Sequence, residues 1–458
     1  MNPLPLLATH AAGWRHRSWP DGLEHHARRA LLDWFAAMLP GTRQPPATLL
    51  ATALADERGE GRAVCYADGQ RGSARHAALI NGVASHAVEF DDIHRDSGLH
   101  PGSPTVAAAL AVAQARGASM DALLRAMAAG YEVGGRIALA VQPSHYRFWH
   151  TTATVGTLAA ATASALLLEC DEVRMGHAIA LAATMAGGLQ QAFRGEGMSK
   201  PLHAGHAAEA GLLAARSAAA GVTGAPDVLH GPAGFAAATS ESTGTWEQAL
   251  HGLGESFVIG NMTFKNHGCC GHIFPALDGL LALRARLGFT PEEVRHIHVA
   301  GYRATAEMCD RPVIRAEQDA RFSTQFCVAT LSLHGAVRLE AFSPQRLSDP
   351  AIQAFMPKVS VSLAPDLADA YPRRRAARLR LELADGRVFE HEQPFRKGDP
   401  EEPLTDAELD AKFRELAEPV LGAKAAEALR YAIRQGDAVP GAMMPPAFTV
   451  PPPRPANG

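Results

Sequence analysis

The length, composition and charge of the chain exclude several classes of protein before any motif is considered. Its 458 residues exceed what a single core usually holds, so two domains are expected. A hydrophobic content of 47%, a charged content of 20% and a formal net charge of -4 are typical of a globular protein. They disfavour a nucleic-acid partner, because the longest basic run is only Arg373-Arg374-Arg375, expected to be a solvated strand edge.

The cysteines and the N-terminus predict the compartment. Six cysteines without a C-x-x-C pair favour a reduced, intracellular chain. The N-terminal stretch MNPLPLLATHAAGW lacks the basic start and apolar run of a signal peptide, and no apolar stretch reaches membrane-spanning length. We therefore expect a cytoplasmic protein that makes no contact with a membrane.

The first 265 residues predict alanine-rich helices whose small faces favour close helix-helix packing. The segment LEHHARRALLDWFAAMLPG has one apolar face and is expected to end at Pro40-Gly41. SPTVAAALAVAQARG predicts a helix with Ser103 as its N-cap and Gly117 at its end, and Asp171 is expected to cap a later helix. Strand signals are nearly absent from this half.

The pattern changes after residue 265. HIHVAGYR and KVSVSL predict strands, and ARLRLELADGRVFEHE predicts a hairpin that turns at Asp385-Gly386. Helix is expected to resume at TDAELDAKFRELAEPVLG, where Thr405 and Glu408 fit a capping box.

These elements predict a mostly α fold: a large all-helical domain with an inserted, smaller α+β lid domain. The helical domain is expected to comprise residues 1–265 and 405–438, and the lid residues 266–404. The Pro-rich tail, residues 439–458, is expected to be extended or disordered.

The densest polar segment is HAVEFDDIHRDSGLHPGSP, which begins at His86 and leads into a predicted helix. Carboxylates and imidazoles that lie close together shift one another's pKa, so their density marks a candidate site. A metal-dependent hydrolase using His86, Glu89, Asp92 and His94 is one interpretation. The motifs GxSxG, HExxH and GxGxxG are absent, so serine hydrolases, zincins and dinucleotide-binding enzymes lack their primary signals.

Three other segments carry reactive residue types. His150 follows two aromatic residues in HYRFWHTTATVG, and an ordinary core histidine is an equal alternative. Lys200, in RGEGMSKPLHAGHAAEAG, is placed either to hold an anionic ligand or simply on a surface loop. FKNHGCCGHIFPALDG combines Lys265 and His272 with adjacent cysteines whose spacing matches no zinc pattern.

Together these segments resemble the MmgE/PrpD family, from about residue 20 to residue 435. The stretches that carry the resemblance are NGVASHAVEFDDIHRDSGLHPGSP, FWHTTATVGTLAAA, GMSKPLHAGHAAEAGLLAA and FKNHGCCGHIFPALDG, with DARFSTQF as weaker support. The family includes 2-methylcitrate dehydratase, cis-aconitate decarboxylase and iminodisuccinate epimerase. The resemblance implies a helical domain with an inserted α+β lid, a homodimer, an active site in the cleft between the domains, and no metal or organic cofactor.

The resemblance also implies the site residues. The expected catalytic residues are His100, His150, Lys200 and His272, and the expected substrate-binding residues are Glu89, Asp91, Asp92 and Lys265. The sequence departs from the family pattern at two positions of the first of these segments: many members have Asp where Glu89 stands, and Ser where Gly102 follows His-Pro.

The expected function is a cofactor-independent lyase that acts on a small di- or tricarboxylate through an enolate-like intermediate. Lysines would hold the carboxylates, and histidines would exchange protons with carbon. A dehydratase is the first expectation and a decarboxylase is possible; an epimerase acting next to a carboxylate is the main alternative. A metal-dependent hydrolase or a non-catalytic ligand-binding protein are alternatives of other classes.

Overall fold

The computed structural model of the chain describes residues 1–193, 197–371 and 373–441. The chain is 58% helical, with one small mixed sheet in its C-terminal part, so the mostly α prediction is confirmed. In chain order, the α-helices are α1 (Pro3–Gly13), α2 (Leu23–Gly41), α3 (Ala47–Ala53), α4 (Ala74–His86), α5 (Gly102–Arg116), α6 (Met120–Val141), α7 (Thr151–Leu167), α8 (Glu172–Met185), α9 (Ser199–Ala219), α10 (Phe235–Thr239), α11 (Trp246–Leu250), α12 (Phe274–Leu287), α13 (Arg303–Cys309), α14 (Glu317–Arg321), α15 (Thr324–His334), α16 (Pro344–Leu347), α17 (Pro350–Phe355), α18 (Pro365–Ala370), α19 (Asp406–Leu421) and α20 (Ala423–Gln435). The strands are β1 (Ala63–Cys65), β2 (Gln70–Gly72), β3 (Val294–Gly301), β4 (Val359–Leu363), β5 (Ala377–Leu383) and β6 (Val388–Gln393).

The chain divides into two compact units. The first unit comprises residues 1–263 together with the described residues from 405 onward, and the second comprises residues 264–404. In the first unit α7 is the central helix, because every one of its residues is buried. Its sequence, TTATVGTLAAATASALL, consists mainly of small side chains, which allows helices to pack around it on all sides.

Helix α9 approaches two neighbours so closely that only glycine fits at the contacts. A Cβ atom on Gly205 would lie 2.3 Å from the carbonyl oxygen of Leu79 in α4. A Cβ atom on Gly211 would lie 2.5 Å from the carbonyl oxygen of Thr157 in α7, and one on Gly82 of α4 would lie 2.8 Å from the Cα atom of Gly205. The predicted packing through small faces is therefore confirmed, and it brings the beginning of α9 near the end of α4 and the beginning of α7.

The helix ends follow the sequence signals with one exception. Asp171 accepts a hydrogen bond from the backbone N–H of Arg174, and Thr405 and Glu408 form the predicted capping box. The prediction of Ser103 as an N-cap is wrong, because α5 already begins at Gly102. The Ser103 hydroxyl donates a hydrogen bond to a carboxylate in the preceding loop, and this contact replaces the cap.

The C-terminal helices complete the first unit through a buried ion pair. The Nζ atom of Lys412 in α19 lies 2.6 Å from Oδ1 of Asp33 in α2, and both side chains are 0% exposed. The same ammonium donates a 3.0 Å hydrogen bond to the backbone carbonyl of Phe90, in the loop that follows α4. Lys412 therefore anchors this polar loop to the helical core.

A short antiparallel hairpin in the first unit was not predicted. Strands β1 and β2 pair Ala63 with Gly72 and Cys65 with Gln70, and each strand is only three residues long. Strands this short cannot show the alternation of apolar and polar residues by which a strand is predicted. Because of this hairpin, the first unit is not purely helical.

The second unit is built on a four-stranded sheet in the order β4-β3-β5-β6. Strands β3 and β4 are parallel, whereas β5 is antiparallel to both β3 and β6, so the predicted strands and hairpin are confirmed. One sheet face forms a core with α12 and α15, which includes Ile297, Leu379, Leu381, Leu277 and Phe326.

Three further expectations can be compared with the structure. All six cysteines are free thiols. None of the described helices has the length and apolar continuity that crossing a bilayer requires. Most of the Pro-rich tail lies outside the described residues; Val439 is buried, and the carbonyl of Pro440 accepts a 2.7 Å hydrogen bond from Gln114.

Candidate active site

Four segments of the first unit bring polar side chains to one place. His86 is the last residue of α4, Asp91 and His100 lie in the loop between α4 and α5, His150 immediately precedes α7, and His203 lies near the beginning of α9. We refer to these five residues as the imidazole cluster. The glycine contacts of α9 with α4 and α7 are the reason that these helix ends meet.

Asp91 is the centre of the imidazole cluster. Its Oδ2 atom lies 2.7 Å from Nδ1 of His86 and 3.0 Å from Nδ1 of His100, and accepts a 2.9 Å hydrogen bond from the hydroxyl of Ser103. Burial acts to raise the pKa of this carboxyl, but the His86 and His100 imidazoles lower it further, so the pKa of Asp91 lies well below its usual value. Asp91 is therefore a buried carboxylate anion at neutral pH.

The carboxylate determines which nitrogen of each neighbouring ring carries a proton. Because a carboxylate only accepts hydrogen bonds, Nδ1 of His86 carries a hydrogen, and the negative charge 3.0 Å from Nδ1 of His100 favours a hydrogen there as well. In the neutral ring the lone pair is then on Nε2. The Nε2 atom of His86 is buried without a hydrogen-bond partner among the described residues, whereas the His100 side chain keeps 11% of its surface exposed. His100 is thus better placed to exchange a proton with a bound molecule.

His150 is a neutral imidazole held between two others. Its ring stacks on that of His86 with 5.5 Å between centroids, and its Nδ1 lies 3.1 Å from Nδ1 of His203. Burial, followed by the electrostatic influence of His86 and Lys200, lowers the pKa of His150 well below its usual value, and burial also lowers the pKa of His203. Because one Nδ1 must donate to the other, the tautomer of His203 decides whether Nε2 of His150 offers a proton or a lone pair.

Backbone contacts fix the positions of His100 and His150, two of the three predicted catalytic histidines. The N–H of His100 donates to Oγ1 of Thr152 at 3.1 Å, and the N–H of His150 donates to the carbonyl of Gly188 at 3.0 Å. Gly188 has a φ of +140°, and a Cβ atom there would lie 2.3 Å from Cβ of Ala153. Only glycine allows this approach, so this loop position is part of the support of the site.

Lys200 lies at the beginning of α9, and its ammonium donates a hydrogen bond to Oε1 of Glu89. The two side chains are 22% and 33% exposed, so the pair remains accessible to a ligand. Glu89 has a φ of +60°, a left-handed conformation that is uncommon for a residue other than glycine. The strained backbone directs a carboxylate towards Lys200, and Asp, which many family members have here, tolerates this conformation better than Glu.

Asp92 faces away from the imidazole cluster although it adjoins Asp91. The Tyr131 hydroxyl donates a 2.8 Å hydrogen bond to its Oδ2, and the N–H of Gly102 donates a 3.1 Å hydrogen bond to its Oδ1. Burial and the Asp33 carboxylate raise the pKa of Asp92 to about 8. These contacts give Asp92 a structural environment, and its substrate-binding role stays a prediction.

The same contacts explain why glycine follows His-Pro in this chain. A Cβ atom on Gly102 would lie 2.6 Å from Oδ1 of Asp92 and 2.8 Å from the Tyr131 hydroxyl oxygen. A serine at this position would require Asp92 or Tyr131 to move.

The predicted metal-binding set does not come together. His94 forms a 2.8 Å hydrogen bond with Ser97, and Asp92 binds Tyr131. The ligand atoms of His86, Asp91 and His100 lie within 4.8 Å of one another and could in principle hold an ion. However, the 2.7 Å separation between His86 Nδ1 and Asp91 Oδ2 is a hydrogen-bond distance, which favours proton sharing.

In the second unit, His272 and Lys265 lie in different environments. His272 Nδ1 is 2.7 Å from the hydroxyl of Tyr302, and burial, followed by the charges of Arg375 and Arg396, lowers its pKa to about 3. The Lys265 side chain is buried next to Phe264, whose N–H donates to the carbonyl of Gly398.

His267, five residues before His272, forms a 2.8 Å hydrogen bond with Asp278 in the buried part of the second unit. This hydrogen bond gives His267 a structural environment.

Two family models together match most of the chain. A model described as the MmgE/PrpD N-terminal domain matches residues 6–247, and one described as the MmgE/PrpD C-terminal domain matches residues 267–436. The chain is 28% identical over 432 residues to the cis-aconitate decarboxylase-like protein oryM of Aspergillus oryzae, with 88% of each chain covered.

Two further relatives have the name cis-aconitate decarboxylase. The human protein is 27% identical over 369 residues, which cover 77% of this chain and 75% of the relative. The Aspergillus terreus protein is 28% identical over 431 residues, which cover 87% of this chain and 86% of the relative.

Proposed function

Because the chain belongs to the MmgE/PrpD family, we propose that this enzyme is a lyase that acts on a small di- or tricarboxylate through an enolate-like intermediate, without a metal or organic cofactor. The observation that carries the proposal is the position of Asp91 between His86 and His100. A buried carboxylate behind an imidazole stabilises the protonated ring, so His100 can take a proton and return it.

The Lys200–Glu89 pair supplies the charge that such a substrate requires. A substrate carboxylate that approaches Lys200 competes with Glu89 for the ammonium, so binding exchanges one carboxylate partner for another. A held ammonium beside the reacting carbon also stabilises the negative charge that develops in an enolate. His150, which is neutral because of its burial, contributes a hydrogen bond to the substrate.

We place decarboxylation first, because the named relatives at 27–28% identity are cis-aconitate decarboxylases or similar to them. In a β,γ-unsaturated acid, a proton adds to the γ carbon while the carbon–carbon bond to the carboxylate breaks. The electron pair of that bond forms the new double bond, and carbon dioxide leaves. Protonated His100 is the proposed donor, and each turnover consumes one solvent proton.

Dehydration, the first expectation from the sequence, is the second candidate reaction. It requires a base for the C–H proton and an acid for the leaving hydroxide. The site offers two proton-transfer groups on separate elements, His100 in the loop before α5 and the Lys200–Glu89 pair between that loop and α9. The presence of two separate proton-transfer groups is the observation that favours dehydration as the second candidate.

Proton NMR in D₂O distinguishes these reactions. The purified chain is incubated with cis-aconitate and with hydroxylated tricarboxylates such as 2-methylcitrate. Decarboxylation gives carbon dioxide and a product with one carbon-bound deuterium, whereas dehydration gives a new alkene and keeps every carbon. Epimerisation exchanges deuterium for hydrogen next to a carboxylate without either loss. Absence of all three outcomes for every acid in the panel would contradict the proposal.

Substitution of Lys200 tests the assignment of the site. Lys200→Ala is expected to lower turnover by about 10²-fold or more. His206, exposed on the same helix, gives the matched control His206→Ala with unchanged turnover. Near-normal turnover of Lys200→Ala would remove Lys200 from the mechanism.

Treatment with a chelator tests the metal-dependent alternative. Under the proposal, turnover survives prolonged dialysis against chelator. Loss of turnover that added zinc restores would favour a metal-dependent hydrolase or lyase.

Lys265 remains a proposed substrate-binding residue and His272 a proposed catalytic residue. For Lys265→Ala and His272→Gln, a loss of turnover with an unchanged unfolding temperature is the expected result.

The homodimer also remains a prediction, which analytical ultracentrifugation checks.

A further inference from the structure

The second unit contains an aromatic and cationic group of side chains around His272, here called the His272 cluster. The ring of Tyr302 stacks on that of Tyr371 with 4.8 Å between centroids. The His272 ring lies 6.4 Å from the Tyr371 ring, and the guanidinium carbon of Arg375 lies 5.5 Å from the same ring. Tyr371 thus has both His272 and Arg375 against it.

The contact with Tyr302 determines the tautomer of His272. Burial raises the pKa of the Tyr302 phenol above its usual value, so the hydroxyl stays protonated and donates a 2.7 Å hydrogen bond to Nδ1 of His272. The neutral His272 ring then carries its hydrogen on Nε2. Within the described residues this Nε2–H has no hydrogen-bond acceptor, and the His272 side chain is partly exposed. His272 therefore presents a donor to a bound molecule.

Charge in the His272 cluster favours an anion. Arg375 and Arg396 both place positive charge close enough to His272 to lower its pKa. Arg396 is fixed by two hydrogen bonds to Asp399, at 2.8 and 2.7 Å. The guanidinium of Arg375 is held in a partly buried position where burial, and then Arg396, lower its pKa.

The run Arg373-Arg374-Arg375 was expected to be a solvated strand edge, but Arg375 lies in a different environment from the two arginines before it. Arg373 is exposed, and Arg374 binds Glu392 across the edge of the sheet. Arg375 instead is partly buried against the Tyr371 ring, so the expectation holds for Arg373 and Arg374 but is wrong for Arg375.

We propose that Nε2–H of His272 and the guanidinium of Arg375 together bind a carboxylate group of a small polycarboxylate, with Tyr371 as the wall of the subsite. A planar guanidinium and a neutral imidazole N–H are suited to the two oxygens of one carboxylate. The inference rests on the proposed function for its ligand class, and it assigns to Arg375 a role in selecting acids with several carboxylates over monocarboxylates.

Arg375→Gln tests the proposal, with Arg374→Gln as the matched control from the adjacent position. We expect the KM for the tricarboxylate to rise about tenfold or more in Arg375→Gln, with kcat changed less than about threefold. Arg374→Gln should leave both constants unchanged. Thermal unfolding of both variants checks that the fold is intact. Equal KM values for the two variants would overturn the proposal.

A binding measurement separates this inference from the proposed reaction. The His272 imidazole signal, assigned by its loss in His272→Gln, is followed by NMR during titration with a tricarboxylate, a monocarboxylate or sulfate. A shift that is strongest for the tricarboxylate and is lost in Arg375→Gln supports the subsite even where no turnover occurs, in which case the lyase proposal alone fails. Equal shifts for all three anions, or turnover without Arg375 dependence, would overturn the subsite and leave the lyase proposal standing.

Discussion

Replacing Asp91 by Asn tests the centre of the imidazole cluster. Three donors surround Oδ2 of Asp91: Nδ1 of His86 at 2.7 Å, Nδ1 of His100 at 3.0 Å and Oγ of Ser103 at 2.9 Å. An amide oxygen at the Oδ2 position carries no charge, so every contact with it is weakened, and an amide NH₂ at that position would leave an imidazole N–H without its acceptor.

The expected effect on stability follows from these contacts. A hydrogen bond to a charged group contributes about 1.5–3 kcal/mol, and a buried donor left without a partner costs about 1–3 kcal/mol. We therefore expect the free energy of unfolding of the Asn variant to fall by about 2–4 kcal/mol at pH 7.

The pH dependence has a defined direction. Folding lowers the pKa of Asp91, so the carboxylate stabilises the fold above its unfolded pKa, near 4, and this contribution is lost as the pH falls through the lower folded value. The difference between the wild type and the Asn variant should therefore shrink below about pH 4.

Turnover should fall more steeply than stability. Without the carboxylate, the proton of the His100 ring is no longer fixed on Nδ1, and substitutions of this kind lower turnover by about 10³–10⁴-fold. Urea unfolding at several pH values and steady-state kinetics measure the two effects. The matched control is Asp96→Asn, on the exposed side of the same loop. If Asp91→Asn changes both quantities no more than Asp96→Asn does, the reasoning is refuted.

Three further predictions concern neighbouring groups. His203→Ala should lower turnover by about 10²-fold and alter its pH profile, because His150 loses its Nδ1 partner, whereas the exposed His206→Ala should do neither. Folding raises the pKa of Asp92 to about 8, so the free energy of unfolding falls as the pH rises from about 4 to 8. Asp92→Asn removes this ionisation and should therefore raise the unfolding temperature more at pH 8 than at pH 5. A larger increase at pH 5 than at pH 8 would contradict the assignment. Lys412→Met should lower the free energy of unfolding by about 3–5 kcal/mol, because it leaves the buried Asp33 carboxylate without its ion pair, and a second substitution, Asp33→Asn, should restore much of the loss in urea unfolding.

The elements that sequence reasoning predicted well are those whose signals are local. Each of these signals involves residues that are close together in the chain. The structure has the alternation of Leu379, Leu381 and Leu383, the turn at Asp385-Gly386 and the capping box of Thr405 and Glu408. The strands β1 and β2 were missed because three residues per strand are too few to show a period.

The signals that failed depend on contacts between distant parts of the chain. Ser103 has the residue type of an N-cap, but its hydroxyl instead donates a hydrogen bond to the Asp91 carboxylate. Asp91 and Asp92 are adjacent and chemically identical, yet one faces two imidazoles and the other faces Tyr131. Adjacent loop residues point to opposite sides, and the sequence does not reveal which side holds the site.

His203 is a site residue that helical spacing could have predicted. It lies three residues after Lys200 on a predicted helix, so the two share a face, and the selection of Lys200 already implied a reason to consider it. Its contact with His150, in contrast, depends on the packing of α9 against α7 through Gly211, which only the structure reveals.

The rate at which a tricarboxylate is converted in D₂O, compared between the wild type and His100→Gln, tests the central claim most directly. The account predicts that the wild type in D₂O converts an unsaturated or hydroxylated tricarboxylate with loss of carbon dioxide or water, and that His100→Gln, folded to the same unfolding temperature, does so at least about 10²-fold more slowly. Conversion at an equal rate by His100→Gln, or no conversion of any acid by the wild type, would contradict it.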